Sequence, residues 1–350
     1  MRETKFRGIR MAGTYRLFVW APVPEDATSK VRAWGVLPRL RSRCALELVA
    51  PRPQVNWTDI VSVDGVFFQR PFMPNQTMLA QAAKSYRVPI VCDWDDDLLC
   101  VPTDNPTHAN YNNPQSKENV MNLARMADLV TVSTEPLRQT MLKFNPNVHV
   151  VPNALDMRIH TRMTDSLPRN PVVMWRGGHT HMRDLMHHTD QIMAAYEAFP
   201  DWSFVFMGYN PWWITERMAP TRCRYVPFQP EYVYYMNDLC KMRAAIQIVP
   251  LDDSPFNRAK SRIAHIESAL AGSVCLAPNW DEWQGGGVVN YASPGDFGKK
   301  LQELMGTPIE TLGAMNNESW AWVSKNRVLD HTNELRAQLL HRFAGVPLRG

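Results

Sequence analysis

The stretch from Ile246 to Pro278 restricts the fold of this chain more than any other. It reads IQIVP, then LDDSPFNRAKSRIAHIESALAG, then SVCLAP. This pattern predicts a buried strand, a polar loop, a helix that ends at Gly272, and a second strand. Ile263, Ile266 and Leu270 recur at helical spacing and predict the face that packs on a sheet. Because two strands joined through a helix are parallel, the chain contains at least one β-α-β unit.

The adjacent stripe of the same helix carries a cation and a carboxylate two turns apart, with only small residues between them. Lys260 is predicted in the first turn, where free backbone N–H groups and the helix dipole favour a phosphate. Glu267 can accept hydrogen bonds from a sugar hydroxyl. The stripe therefore predicts a site for a nucleotide diphosphate.

The run PFNRAKS, followed by Glu267, alanines, a glycine and an apolar strand, resembles the donor-binding segment of GT-B-type glycosyltransferases of family 4. That family has two glutamates separated by seven residues, and the second holds the nucleotide ribose. The resemblance implies this role for Glu267. Ala259 stands where the family has its first glutamate. The candidates to replace that glutamate are Asp252, Asp253 and Asn257.

The resemblance implies a GT-B architecture, with two Rossmann-like doubly wound α/β domains facing across a cleft and a C-terminal helix crossing back to the first. A chain of 350 residues is long enough for two such cores. Val148–Asp156 (VHVVPNALD) resembles the family's domain boundary. We therefore expect an acceptor-binding domain over 1–156, a linker over 157–170, a donor-binding domain over 171–318 and closing helices over 319–350.

The second domain opens with the strand VVMW and then RGGHTH. A strand, a Gly177-Gly178 turn and a helix allow backbone amides to approach a pyrophosphate closely. Arg176 and Arg183 are candidates to clamp its oxygens, and His179 is a candidate phosphate or base contact. The predicted donor-binding residues are Arg176, Gly177, Gly178, His179, Arg183, Phe228, Asn257, Lys260, Ser261 and Glu267.

In the first domain, a strand near residues 88–92 runs into the sequence DWDDD. Crowded carboxylates repel one another and raise some of their pKa values, so such a cluster often has a function. Asp95, Asp96 and Asp97, with Lys260, are the candidate catalytic residues; the aspartates would act as a base or orient an acceptor hydroxyl. Helix capping with solvated charge is the alternative. The run also resembles the D-x-DDD stretch of bacterial and phage members of these transferases.

Positive charge is concentrated at the start of the chain. Residues 1–58 contain 11 Lys and Arg against 4 Asp and Glu, whereas the whole chain has a formal net charge of +4. This region predicts either a landing surface for a polyanionic acceptor or a solvated helix face. The Pro/Asn-rich run 101–116 predicts a mobile acceptor loop. The candidate acceptor-binding residues are Arg32, Trp34, Arg39, Arg41 and Arg70.

Several classes of protein are disfavoured by composition. The six cysteines have no paired spacing, which argues against zinc sites and disulfides. No apolar run approaches the length of a membrane span, and the N-terminus lacks a signal-peptide core. We expect a cytoplasmic protein, in the host cytoplasm if it is phage-encoded, with no bound metal and no tightly bound cofactor.

The sequence therefore predicts an enzyme that transfers a hexose or pentose from a nucleotide-diphosphate sugar, and the resemblance implies retention of anomeric configuration. Its acceptor is a 5-hydroxymethylpyrimidine in double-stranded DNA or, alternatively, a cell-surface glycan or lipid-linked acceptor. Two readings from other classes stay open: a nucleotide-sugar epimerase, and a non-catalytic module that binds nucleotide sugar or DNA. The oligomeric state is left open.

Overall fold

The computed structural model describes residues 13–21, 23–162 and 169–349. They form two compact units. Unit 1 holds the described residues up to Val101, Ala109–Asn153, and those from Leu329 onward; unit 2 holds Pro102–His108 and the described residues of Ala154–Val328. Residues 163–168 of the predicted linker lie outside the described residues. Within the described ranges, no helix combines the length and apolar character that crossing a membrane requires.

The secondary structure alternates between strands and helices. The strands are β1 (Tyr15–Trp20), β2 (Leu46–Val49), β3 (Gly65–Gln69), β4 (Ile90–Trp94), β5 (Leu129–Val132), β6 (Val148–Val150), β7 (Asn170–Gly177), β8 (Ser203–Gly208), β9 (Cys223–Pro227), β10 (Ala244–Ile248), β11 (Val274–Pro278) and β12 (Val289–Tyr291). The α-helices are α1 (Ala27–Arg32), α2 (Trp57–Val61), α3 (Pro74–Ser85), α4 (His108–Tyr111), α5 (Pro114–Met126), α6 (Glu135–Met141), α7 (Met182–His187), α8 (Thr189–Ala198), α9 (Trp212–Thr215), α10 (Tyr232–Met242), α11 (Pro255–Arg258), α12 (Ile263–Ala271), α13 (Pro294–Met305), α14 (Ile309–Asn326) and α15 (Leu329–Ala344). Short 3₁₀ helices cover Leu37–Ser42, His179–His181 and Asp281–Trp283.

Each unit is built on a six-stranded parallel sheet. The strand order is β2-β1-β3-β4-β5-β6 in unit 1 and β12-β11-β10-β7-β8-β9 in unit 2. In unit 2 the chain moves outward from β7 to β9, then returns to the other side of β7 with β10. This is the doubly wound order with its switch point between β7 and β10. The predicted α/β class and the parallel β10-α12-β11 unit are confirmed.

The predicted position of Lys260 in a first helical turn is wrong. Pro255 opens the short helix α11, and the Ser254 hydroxyl accepts a hydrogen bond from Asn257 N at 3.1 Å. This cap starts a separate helix because proline suits a first turn and serine suits an N-cap. α12 begins only at Ile263. Lys260 therefore lies between two helices.

The C-terminal helix α15 belongs to unit 1. Leu329, Leu339 and Leu340 are buried and pack in the core that also holds Leu17 and Phe67 of the sheet. α14 belongs to unit 2 instead, where it packs on α12 and β11. The division between the units thus falls after Val328 rather than at the predicted residue 319, because α14 buries its apolar face in the second core.

Gly208 ends β8 in a conformation that favours glycine. Its φ is +100°, and a Cβ atom there would lie 2.5 Å from the carbonyl oxygen of Gly177. We expect Gly208→Ala to lower the free energy of unfolding by about 2–4 kcal/mol through backbone strain and overpacking. Gly178→Ala is the matched control, since φ is −88° there and the nearest atom to a new Cβ is 3.9 Å away. Urea unfolding measures both; equal losses would contradict the steric explanation.

Candidate functional site

A pocket lies at the switch point of unit 2, outside the carboxyl ends of β7 and β10. Open α/β sheets bind ligands at this position. Its volume is about 90 Å³. Residues that follow β7 line one side, residues that follow β10 line another, and Pro102–Pro106 contributes a third wall; the polar lining residues central to the site are His179, Arg183, Asp184, Asp252 and Asn257.

Asp184 organises the base of this pocket. It is 5% exposed, and its Oδ1 accepts hydrogen bonds from Asp252 N at 3.0 Å and from Asn257 Nδ2 at 2.8 Å. Its Oδ2 lies 2.8 Å from His181 Nδ1. Burial opposes ionisation of Asp184, but these hydrogen bonds and the His181 and Lys260 charges hold its pKa below the ordinary value. Asp184 thereby fixes the two loops that carry the candidate donor contacts.

Arg183 is the exposed cation of the pocket. Its Nη1 lies 2.7 Å from Asp104 Oδ2 and its Nε lies 3.1 Å from Asp252 Oδ2. Hydrogen bonding and charge attraction from Asp104 raise the pKa of Arg183, and Asp252 adds to this shift. His187 Nδ1 also approaches Asp252 Oδ2, at 2.7 Å. The guanidinium of Arg183 is thus held by two carboxylates at the pocket, and its part in a phosphate clamp stays a prediction.

Lys260 reaches the same region from the loop between α11 and α12. Its Nζ lies 4.4 Å from the ring centroid of Phe256, a pocket-lining residue, and its charge acts on Asp184. Ser261 follows it in that loop, and His179 is exposed on the pocket wall. Arg183 and Asn257 thus line the pocket and Lys260 lies beside its lining residue Phe256. Their role in donor binding stays a prediction.

Glu267 has a different environment from the predicted open stripe. It is 2% exposed. Its carboxylate lies 2.6 Å from Arg176 Nη2 and accepts hydrogen bonds from the Tyr232 hydroxyl at 3.1 Å and the Tyr235 hydroxyl at 2.9 Å. Burial raises the pKa of both tyrosines. Burial also opposes the charge of Arg176, yet Glu267 raises its pKa. The prediction that Glu267 faces a groove as an available acceptor is corrected: three side chains of the same unit occupy it.

The remaining donor candidates lie along the same carboxyl edge of the sheet. Gly177 pairs with Gly208, which in turn pairs with Pro227, so the ends of β7, β8 and β9 are neighbours. Phe228 follows β9 and is 66% exposed. Trp212 is exposed as well, whereas the indole of Trp213 donates to Thr189 Oγ1 at 3.0 Å. Phe228 is thus exposed at this edge, and its contact with the nucleobase of a donor stays a prediction.

In unit 1 the switch point lies between β1 and β3, and Arg70 follows β3 there. Its φ is +50°, rare for a residue with a side chain. Its guanidinium bonds Asp95 through two contacts of 2.9 and 2.7 Å and Asp96 at 3.0 Å. Burial raises the pKa of Asp95; Arg70 opposes this shift and Asp96 adds to it. A strained cation with two carboxylates at strand ends is a candidate acceptor site.

Two predicted site residues are structural instead. Arg32 is 1% exposed and binds both oxygens of Asp93 at 2.9 and 2.6 Å, and its Nη1 donates to Val151 O at 2.6 Å. It ends α1 pointing into the core, so it cannot contact an acceptor. Asp97 is 5% exposed and accepts from Leu99 N at 3.1 Å and Thr140 Oγ1 at 2.9 Å. We therefore remove Asp97 from the candidate catalytic groups.

The other acceptor candidates lie on the opposite edge of the unit 1 sheet. Arg39 and Arg41 belong to the 3₁₀ helix that directly precedes β2, beside the amino end of β1, where Tyr15 N donates to Ala45 O at 2.8 Å. Trp34 is half-buried and packs on the core. This position lies away from the carboxyl ends of the strands, where such sheets bind small ligands, and acceptor binding by Trp34, Arg39 and Arg41 stays a prediction. The run 101–116 is also no single loop, since it forms α4, the start of α5 and part of unit 2.

Sequence reasoning missed Asp184, Tyr232 and Tyr235. The signals were present but weak: an aspartate one residue after Arg183, and two tyrosines three residues apart, hence on one face of a helix. Among the residues that the structure describes, no three His, Cys, Asp or Glu side chains are grouped as metal ligands.

No protein family model and no curated protein matches the chain. Solved structures do. HepE of Anabaena in complex with UDP has a TM-score of 0.64 and 12% identity over 94% of this chain and 100% of its own. TarM has a TM-score of 0.60 and 9% identity over 80% of this chain and 55% of its own. The UDP-forming α,α-trehalose-phosphate synthase of Burkholderia vietnamiensis has a TM-score of 0.54 and 14% identity, over 78% and 74%. These likenesses confirm the GT-B fold of two Rossmann-like domains.

Proposed function

We propose that the chain is a glycosyltransferase that moves a sugar from a nucleotide-diphosphate sugar to an acceptor hydroxyl. The observation that carries this proposal is the pocket at the switch point of unit 2, which Arg183 and Asn257 line, with Lys260 Nζ 4.4 Å from the ring centroid of the lining residue Phe256. Its support is the fold shared with HepE, which was solved with UDP.

The chemistry follows from charge. When the bond between sugar and diphosphate breaks, negative charge grows on the leaving phosphate, and cations already aimed at it lower the barrier. The planar guanidinium of Arg183 suits two phosphate oxygens at once, whereas Lys260 acts as a compact point charge. The backbone at Gly178 adds an open approach, because beyond its chain neighbours the nearest atom to the position of a Cβ is Thr180 Oγ1, 3.9 Å away.

For the acceptor we propose that its hydroxyl meets the group formed by Arg70, Asp95 and Asp96 in unit 1. A carboxylate at that position can orient a hydroxyl or accept its proton. Two acceptors are kept: a 5-hydroxymethylpyrimidine in duplex DNA, which would have to be flipped out of the stack, and a cell-surface glycan or lipid-linked hydroxyl. Retention of configuration, independence from metal and membership of family 4 are proposed from the sequence resemblance alone.

The test is incubation with a panel of nucleotide sugars, with and without duplex DNA carrying 5-hydroxymethylcytosine or 5-hydroxymethyluracil, followed by mass spectrometry of nucleosides and of released nucleotide. We expect one donor to be turned over, and Lys260→Ala to lower kcat by about 10²–10³ through lost stabilisation of the leaving group. Lys260→Arg keeps the charge and is expected to retain more activity.

Each outcome separates the readings. A gain of a hexose or pentose mass on DNA identifies that acceptor, and donor hydrolysis without such a gain moves the acceptor to a glycan or lipid. Conversion of the donor to an isomer points to an epimerase. A protein that binds nucleotide sugar with no turnover is a binding module, and unchanged kcat in Lys260→Ala excludes the role assigned to Lys260.

A further inference from the structure

The 102–108 segment (Pro102–His108) belongs to unit 2, although the residues on both sides of it belong to unit 1. Asn105 anchors it. This side chain is 8% exposed, its Nδ2 donates to Thr180 O at 3.3 Å, and its Oδ1 accepts from Thr107 N at 2.9 Å. The segment thereby forms one wall of the switch-point pocket.

Asp104 is the charged residue that this segment brings to the pocket. Its Oδ2 accepts from Arg183 Nη1 at 2.7 Å, while Arg183 Nε donates to Asp252 at 3.1 Å. The side chains of Arg183 and Asp104 are 49% and 44% exposed. Carboxylates thus accept hydrogen bonds from both Nη1 and Nε of Arg183, the atoms that could otherwise donate to phosphate oxygens. The carboxylate on Nη1 comes from the 102–108 segment.

We propose that Asp104 is an internal competitor of the donor phosphate for Arg183, so that donor binding displaces Asp104 and releases the 102–108 segment from the pocket. The proposal rests on the function proposed above. An ion pair as exposed as this one contributes little to stability, whereas a phosphate brings more charge and bidentate geometry to the same guanidinium. The exchange of one partner for the other is therefore favourable.

The test is calorimetric titration of UDP into the wild type and Asp104→Asn. The variant keeps the shape of the side chain and removes its charge. We expect it to bind UDP about two- to fivefold more tightly at low salt, with the difference shrinking at high salt because salt screens exposed pairs. Glu303→Gln is the matched control: it removes an equal charge from an exposed pair with Lys300, 3.0 Å long, in α13 and outside the pocket lining.

Hydrogen exchange of the 102–108 segment gives a second readout. We expect exchange there to be faster in Asp104→Asn than in the wild type without ligand, and UDP to accelerate it in the wild type. Equal UDP affinity of wild type and Asp104→Asn overturns the competition, as does an equal gain in Glu303→Gln or slower exchange with UDP. If neither wild type nor variant binds UDP or any panel donor, the proposed function fails together with the competition.

Discussion

Replacing Arg32 by methionine is expected to lower the free energy of unfolding by about 3–5 kcal/mol. Methionine keeps much of the aliphatic volume, so the main loss is the guanidinium that binds Asp93. Asp93 is 1% exposed and would keep the Thr131 hydroxyl, 2.6 Å away, as its side-chain donor. A buried carboxylate that loses its paired cation is costly because the desolvation that folding imposed is no longer offset by the ion pair. Urea unfolding measures the change.

Arg336 in α15 is the matched control, because it undergoes the same substitution at nearly the same burial. It is 3% exposed, its Nη1 donates to Asn333, and its Nη2 has no hydrogen-bond partner among the described residues. Burial, and then the nearby Arg32 charge, lower the pKa of Arg336. We expect Arg336→Met to be neutral or to stabilise by up to about 2 kcal/mol. Equal destabilisation by Arg32→Met and Arg336→Met would contradict the view that Arg32 is stabilised by its ion pair whereas Arg336 is a buried charge without one in the described part of the chain.

Replacing Glu267 by glutamine is expected to lower the free energy of unfolding of unit 2 by about 3–5 kcal/mol. The substitution leaves Arg176, whose side chain is 19% exposed, without its carboxylate. It also leaves Tyr232 and Tyr235 to share one acceptor oxygen. Urea unfolding measures the change in the free energy of unfolding.

The double variant Arg176→Met, Glu267→Gln tests whether the loss comes from an uncompensated charge. Breaking a buried pair is more destabilising than removing both partners. The double variant should therefore lose less free energy of unfolding than the sum of the losses in Arg176→Met and Glu267→Gln. Tyr235→Phe removes one hydrogen bond and no charge, and should cost about 1 kcal/mol. Strict additivity of the two single variants would mean that Arg176 and Glu267 are not coupled.

The sequence was sufficient for the fold because the fold depends on local patterns. Apolar runs such as those at Ile246 and Val274 mark buried strands, and Gly272, whose φ is +90°, marks the end of a helix. The positions of strand ends also follow from these runs. For this reason the Gly177-Gly178 turn and the acidic cluster at Asp95 could be assigned to ligand-binding edges before the structure.

The partners of buried charges could not be predicted in the same way. Arg32 and Asp93 are 61 positions apart, and Asn257 and Asp184 are 73 apart. Each pair forms only when distant segments of one unit come together. The excess of Lys and Arg near the start of the sequence predicted that Arg32 lies on a basic surface. In the structure it is the last residue of α1 and its side chain is buried. The break between α11 and α12 follows from the Ser254 cap and Pro255, which begin a separate short helix. The spacing of apolar residues alone does not predict it.

The assignment of α15 to unit 1 has a consequence for how the chain folds during synthesis. The core of unit 1 includes Leu329, Leu340 and Val346, so residues made after unit 2 complete a unit that was begun before it. All of unit 2, including its 102–108 segment, has been made once residue 328 is reached. Domains that fold as units during synthesis usually do so from the N-terminus onward. Here the second unit is free to finish first, and a nascent chain shortened within α15 would carry a complete unit 2 beside an incomplete unit 1.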